Sequence, residues 1–443
     1  MSVMSKQIWP TAWILLFFGC VAFVRAQDGA PTPLQLPRAT AAEALAASTE
    51  LLEDVSRLRS LKIRYPVKSG VKSRAEIERV VITNFDEAAT PEEVETQRKR
   101  LVAFGLIPKD FRYREFMISL LTEQVAGFYQ AKTREFFLAD WNDLELAKPV
   151  VVHELTHALQ DQHFDLSRFE KWPRGDGDRE LAIQALIEGD ATALMFNYIL
   201  RPQGLDVTRL PISLSTLNEI MSADPNKTRE KVFSSAPAAI RESLLFPYSY
   251  GAGFAQEMIR RQGWDGLSKA YSELPQSTEQ IMHVEKYLSH EAPVKIEMAD
   301  LSARLGVGWK RLSTDINGEF GYFVILAEFI ARKEAQRAAE GWGGDKCALY
   351  ENARTGDLVL VHLSAWDSTA DADEFFKAYC TRVTKRYPGV GAPTALSPRE
   401  RSYATPDGET LVELKQNRVL IIEGMPSRLH RQLRRVVATL LPA

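Results

Sequence analysis

The chain has 443 residues, 45% of them hydrophobic, 9% aromatic and 26% charged, an ordinary globular composition that excludes a wholly disordered or fibrous protein and suffices for two or three cored domains. Lys and Arg total 55 against 58 Asp and Glu, so the net charge of −3 gives no electrostatic case for nucleic acid or an anionic membrane surface as partner. Partners must be argued from sites.

Residues 1–26 read as a signal peptide. Lys6 opens a short n-region, Ala12 to Val24 is an apolar run too short to span a bilayer comfortably, and Val24-Arg25-Ala26 ends like a signal-peptidase site. The mature chain is therefore expected to start at Gln27, to be exported to a periplasmic or extracellular space, and to carry no integral membrane segment. Residues 27–40, rich in proline and small residues, read as a linker. Of the remaining cysteines, Cys347 and Cys380 either form one disulfide or stay as two buried thiols.

From Ala41 to Leu61 apolar residues recur three and four apart, the pattern of an amphipathic helix. Further helices are predicted at 73–83, 91–104 and 110–126, the second opened by Thr90-Pro91 as N-cap and N1 proline. Val125 to Gln130 and Arg134 to Ala139 break the helical period and predict a β-hairpin. Pro149 starts a helix through Phe164, and another runs from Asp178 to Leu200. Residues 201–232 carry four prolines and glycines and read as irregular, with helices resuming to Tyr287. The sequon Asn226-Lys227-Thr228 matters only in a glycosylating host, and Gly306 to Lys310 reads as a turn.

Beyond residue 295 the texture changes. A long helix over Phe320 to Glu340 is predicted, then strands at Lys346 to Glu351, Asp357 to Trp366, Thr410 to Lys415 and Arg418 to Glu423, with helices at Thr369 to Tyr387 and Ser427 to Leu441. The fold class is accordingly α+β: a mainly helical domain with a small sheet over 41–295, followed by a smaller α+β domain with an antiparallel sheet over 296–443.

Three of the seven histidines, 153, 157 and 163, fall inside eleven residues, the first two in Val151-Val152-His153-Glu154-Leu155-Thr156-His157. This HExxH sits on a predicted helix, where residues four apart share a face with Cβ atoms about 5–6 Å apart, so two imidazoles can converge on one metal. Glu154 is then placed to take a proton from an activated water. Zn²⁺ suits nitrogen and carboxylate ligands. The stretch HELTHALQDQH also matches HExxHxxGxxH except at the glycine, where Gln160 stands. Without that turn His163 lies about 15 Å along the helix from His153 and cannot share its metal.

A third ligand is offered by Glu188, which shares a helical stripe with Leu181, Ala185, Thr192 and Met195. A carboxylate aimed at an apolar surface stays ionised if it binds a metal. Gly189 beside it lets another backbone approach closely. Donors for an oxyanion could be His283, Tyr248 or Tyr250, the tyrosines lying in Pro247 to Gly251, which looks like a shaped loop entering a helix. No GxGxxG, GxxxxGK[ST] or GxSxG occurs, which argues against dinucleotide-binding, P-loop and α/β-hydrolase readings.

At these residues the sequence resembles a gluzincin-type zinc metallopeptidase, in which HExxH gives two ligands and a base and a glutamate on a following helix gives the third. The blocks EQVAGFYQ (123–130), VVHELTHALQDQHFDL (151–166), ALIEGDATAL (185–194) and STEQIMHVEKY (277–287) look like those of a poorly characterised group of exported bacterial metallopeptidase-like proteins. The resemblance implies a zincin-like catalytic domain, Zn²⁺ on His153, His157 and Glu188, Glu154 as catalytic residue, and a peptide or protein substrate. His283 falls in the last block and is carried as a second catalytic candidate. Better-known gluzincins often place an Asp four residues after the ligand glutamate. Here that position is Thr192, while Asp190, about 200° round a regular helix, reaches a histidine only if Gly189 bends the chain. The alternative reading is a non-catalytic envelope or secreted binding protein on a peptidase scaffold.

Overall fold

The computed structural model describes residues 13–16, 46, 48–140, 147–169, 175–210, 213–214, 231–429 and 440. Among the described residues the first part of the chain is mainly helical: α1 (Ser48–Arg59), α2 (Arg74–Ala88), α3 (Pro91–Phe104) and α4 (Tyr113–Gln124). Local chemistry sets the bounds of α3: Thr90 and Glu93 form a reciprocal capping box, Pro91 fills the first turn, and Gly105 at φ 75° ends it in the left-handed region.

A small sheet follows, in the order β1 (Trp13–Leu16), β3 (Val125–Gln130), β4 (Glu135–Ala139), β2 (Lys68–Lys72). β3 and β4 are the predicted hairpin, and β2 lies parallel to β4. β1 pairs antiparallel with β3 and is the described part of the run read as a signal peptide; the rest of residues 1–26, and the linker at 27–40, lie outside the described residues.

Two helices carry the motif residues, α5 (Ala147–Phe164) and α6 (Gly177–Leu200). α5 lies on β3 and β4 and packs along α6, and α6 packs along the long helix α7 (Ala238–Lys269). Pro247 to Gly251, expected as a loop, sits inside α7. The helix runs through its proline, and Gly251 is where α7 crosses α6: a Cβ on Gly251 would meet the Ala185 carbonyl oxygen at 2.1 Å, and one on Gly189 the Gly251 backbone at 2.2 Å. The chain turns instead at Gly263, φ 69°. Short helices α8 (Thr278–Met282) and α9 (Val284–Leu288) close this region.

The C-terminal part is an antiparallel sheet in the order β5 (Trp309–Asp315), β6 (Trp342–Asn352), β7 (Leu358–Trp366), β11 (Arg418–Met425), β10 (Gly408–Lys415), β9 (Glu400–Thr405), β8 (Thr394–Ser397). The α+β class is therefore as expected. The predicted helix over 320–340 is two, α10 (Gly318–Ala327) and α11 (Arg332–Ala339). α10 is apolar and buried nearly all round, whereas α11 buries only Ala335, Ala338 and Ala339, so one straight axis cannot serve both. α12 (Thr369–Arg386) matches its prediction, while the expected last helix and the sequon fall almost wholly outside the described residues. Cys347 and Cys380 are free thiols.

One face of this sheet does not form a core of its own. Leu360, Val412 and Ile421 join α10 and α12, and through them Leu181, Leu186 and Phe254 of α6 and α7, in a continuous apolar cluster. The seam also holds a cavity of about 130 Å³ lined by Phe104, Tyr113, Leu244 and Phe320 among others.

Candidate metal centre

α5 and α6 bring three donor atoms to one point. His153 Nε2 lies 3.0 Å from His157 Nε2 and 3.1 Å from Glu188 Oε2, and His157 Nε2 lies 3.4 Å from the same oxygen. The donors of a tetrahedral zinc, bound at about 2.0–2.1 Å, lie about 3.3–3.4 Å apart. The three separations come within about 0.3 Å of that spacing, so the trio could hold a metal, and all three side chains are buried.

The partners of His157 fix which nitrogen is offered. Its Nδ1 lies 2.8 Å from Gln160 Oε1, an acceptor, so the neutral ring carries its proton on Nδ1 and it is Nε2 that gives up a proton to offer a lone pair to the cluster. Gln160 is held in turn, its amide donating to the Ile187 carbonyl at 3.0 Å and to Asp190 Oδ2 at 3.1 Å. Asp190 therefore reaches the centre without any bend at Gly189. It does so through Gln160, the residue that stands at the glycine position of the HExxHxxGxxH pattern.

Sequence reasoning missed that link and what lies behind it. Arg59, the last residue of α1, grips Asp190 with Nε to Oδ1 at 2.7 Å and Nη2 to Oδ2 at 3.0 Å, and Tyr271 donates to Oδ2 at 2.9 Å. The signal was present as an arginine continuing the buried stripe Leu51, Leu52, Val55.

Charges in the trio are tightly linked. Burial pulls His157 down, but the Glu188 carboxylate beside it outweighs that and lifts it to about 9. Burial raises Glu188, and the two imidazoles override it, holding it down at about 2. His153 is driven down to about 4, chiefly by burial. Glu154 is fully buried, neither of its carboxylate oxygens has a hydrogen-bond partner among the described residues, and burial pushes it up to about 8. An orphaned acid beside a ready set of donors fits a cation at this point, because a positive charge is what would let Glu154 ionise there.

The other sequence candidates sit elsewhere. Tyr248 is near, its ring centroid 6.3 Å from that of His153. Tyr250 stacks on Phe246 at 4.9 Å. His283, between α8 and α9, faces Glu319 of α10 with Nε2 at 2.8 Å from Oε1, and none of its described contacts is with the trio or Glu154. His163 donates to the Lys62 carbonyl at 2.7 Å. A second acidic group, Glu279, Glu291 and Asp367, is filled by Lys286, whose Nζ lies 2.7 Å from a carboxylate oxygen of each.

A family model described as a domain of unknown function (DUF8575) matches residues 305–434, the C-terminal sheet and its helices, and leaves His153, Glu154, His157 and Glu188 outside its span. No curated protein and no solved structure matches the chain.

Proposed function

We propose that this chain is an exported zinc-dependent peptidase, with His153, His157 and Glu188 as metal ligands and Glu154 as general base. The observation that carries the reading is the convergence of three buried donors at ligand spacing, with His157 Nδ1 already engaged by Gln160. Zn²⁺ held there would supply Lewis acidity and lower the pKa of water toward neutrality. Glu154, adjacent to His153 on α5, takes the proton of that water and returns it to the leaving amine. Tyr248, whose ring centroid lies 6.3 Å from that of the ligand His153, is carried beside Tyr250 as a candidate donor to the oxyanion, ahead of His283, which faces Glu319. Export rests on the sequence of residues 1–26 alone. Among the described residues no helix is long and apolar enough to cross a membrane.

A second reading, a metal-bound protein without turnover, draws on one observation: His153, Glu154 and His157 are all 0% exposed, so a peptide reaches Glu154 only if the elements covering it part. One set of variants separates the two. The chain from Gln27 should bind about one zinc, lost or weakened at least about 100-fold in Glu188→Ala. It should cleave an unfolded protein substrate in a chelator-sensitive way, and Glu154→Gln should keep the zinc while losing about 10²–10⁴-fold in rate. Full cleavage by Glu154→Gln would overturn the role given to that residue, and zinc binding with no cleavage of any peptide in a diverse library would establish the second reading.

A further inference from the structure

We infer that Arg59, on the N-terminal helix α1, is a positioning residue of the metal centre, acting on His157 through Asp190 and Gln160; this rests on the metal reading above. The path is continuous and buried. Arg59, Asp190, Gln160 and His157 are each 0% exposed, and every link is a hydrogen bond of 2.7–3.1 Å.

Each link is polarised in one direction. Asp190 uses both oxygens: Oδ1 accepts from Arg59 Nε, and Oδ2 accepts from Arg59 Nη2, the Tyr271 hydroxyl and Gln160 Nε2. A carboxylate so loaded has one orientation, and it obliges Gln160 to present its amide nitrogen to Asp190 and its carbonyl oxygen to His157. A reversed amide would face Asp190 with an oxygen and His157 Nδ1 with a donor, forcing the imidazole proton onto Nε2, where it would block the metal. Arg59 is pinned in turn. Nη1 donates to Ser268 Oγ at 2.9 Å and to the Trp264 carbonyl at 3.3 Å, and the guanidinium lies over the Trp264 ring, 5.1 Å from its centroid. The bidentate fork suits arginine and not lysine. α1 is then part of the centre and not a leader that can be trimmed away without consequence.

The test is a zinc-affinity cycle on the full mature chain, with Zn²⁺ alone as probe in competition with a chelating dye, and the Co²⁺ absorption spectrum as a second readout. Gln160→Met cuts the chain of bonds and should weaken zinc binding about 10- to 100-fold. Arg59→Lys keeps the charge and loses the fork, and should cost about tenfold in the parent. In the Gln160→Met background Arg59→Lys should cost less than about twofold, because the link it acts through is gone. Tyr271→Phe, which keeps the ring stacked 4.0 Å from Phe164, supplies the same comparison should the lysine variant not fold, with about a threefold loss in the parent and none after Gln160→Met. The Co²⁺ spectrum should change with Arg59→Lys in the parent and not in the Gln160→Met background. Equal losses in both backgrounds mean Arg59 and Tyr271 act on folding alone and overturn the inference, as does unchanged affinity in the parent. A parent chain that binds no zinc overturns the metal reading, and this inference with it.

Discussion

A buried carboxylate between two imidazoles needs a positive charge, and below about pH 9 a proton on His157 meets that need. A metal must displace that proton, so zinc affinity should depend on pH with a definite sign. His157 is raised above its ordinary value, so its contribution to the metal-free fold is full below about 6.5 and is lost as pH rises through about 9. Glu188 is depressed to about 2, so it remains an anion throughout that window. Apparent zinc affinity should therefore climb about tenfold per pH unit from pH 6 to 8 and level off above about 9, measured by dye competition at fixed ionic strength. A flat profile from pH 6.5 upward would show that His157 holds no such proton. The trio itself was legible in the sequence, because the spacing of His153 and His157 and the apolar stripe around Glu188 are one-dimensional signals. Gln160, Asp190 and Arg59 were not. A helical wheel weighs direct reach, and Asp190 acts at one remove, through an amide on α5 to which residues of two other helices contribute.

At the scale of elements, the position of Glu188 is set by how closely α6 and α7 cross. Gly189 and Gly251 let the backbones touch there, and an added methyl at Gly251 would sit 2.1 Å from a main-chain oxygen that cannot swing away. Gly251→Ala gains up to about 1 kcal/mol in helix propensity and loses more to overpacking, typically about 1–3 kcal/mol and here against rigid backbone. It should lower the melting temperature and weaken zinc binding together, because parting the helices moves Glu188 from the two histidines. Gly321→Ala in α10 is the control: its methyl meets only Asn317 Cβ, at 3.2 Å, and the variant should stay within about 1 kcal/mol of the parent with zinc affinity unchanged. Equal behaviour of the two variants would refute the crossing as the determinant. The sequence marked Gly189 as a close-approach site but read Pro247 to Gly251 as a loop, since a proline followed within a turn by a glycine ordinarily interrupts a helix and only the packing partner shows otherwise. Strands were legible where they are buried and continuous, as in β7 and β11. β2 (KSGVK) and β9 (ERSYAT) carry too little apolar alternation to be seen, being specified by the strands beside them.

The whole molecule is joined more tightly than a division at residue 295 implies. The last turn of α3 ends against α12, where Arg386 donates to the Ala103 carbonyl at 2.7 Å and Arg382 donates to that of Phe104. Both arginines also hold Glu423 of β11, at 2.8 and 3.1 Å. Cationic groups on the free carbonyls of a helix C-terminus are favourable, and these are desolvated, so separating the halves would strand buried charge as well as expose Phe320 and Phe323. Composition and periodicity locate the change of texture near residue 295 but are blind to this, because a shared core looks in sequence like two adjacent ones. Zinc bound between α5 and α6 should consequently stabilise the distant sheet. At a free concentration about 1,000 times its dissociation constant, a ligand of the folded state adds about 4 kcal/mol to unfolding. Hydrogen exchange followed by mass spectrometry should show the slowest amides of β7 and β11 gaining the same protection on zinc addition as those of α5 and α6, since amides that exchange only by global opening report the same free energy wherever they lie. If β7 and β11 exchange at a rate indifferent to zinc while α5 and α6 are protected, the sheet opens on its own. The continuous core would then be no barrier to separate unfolding.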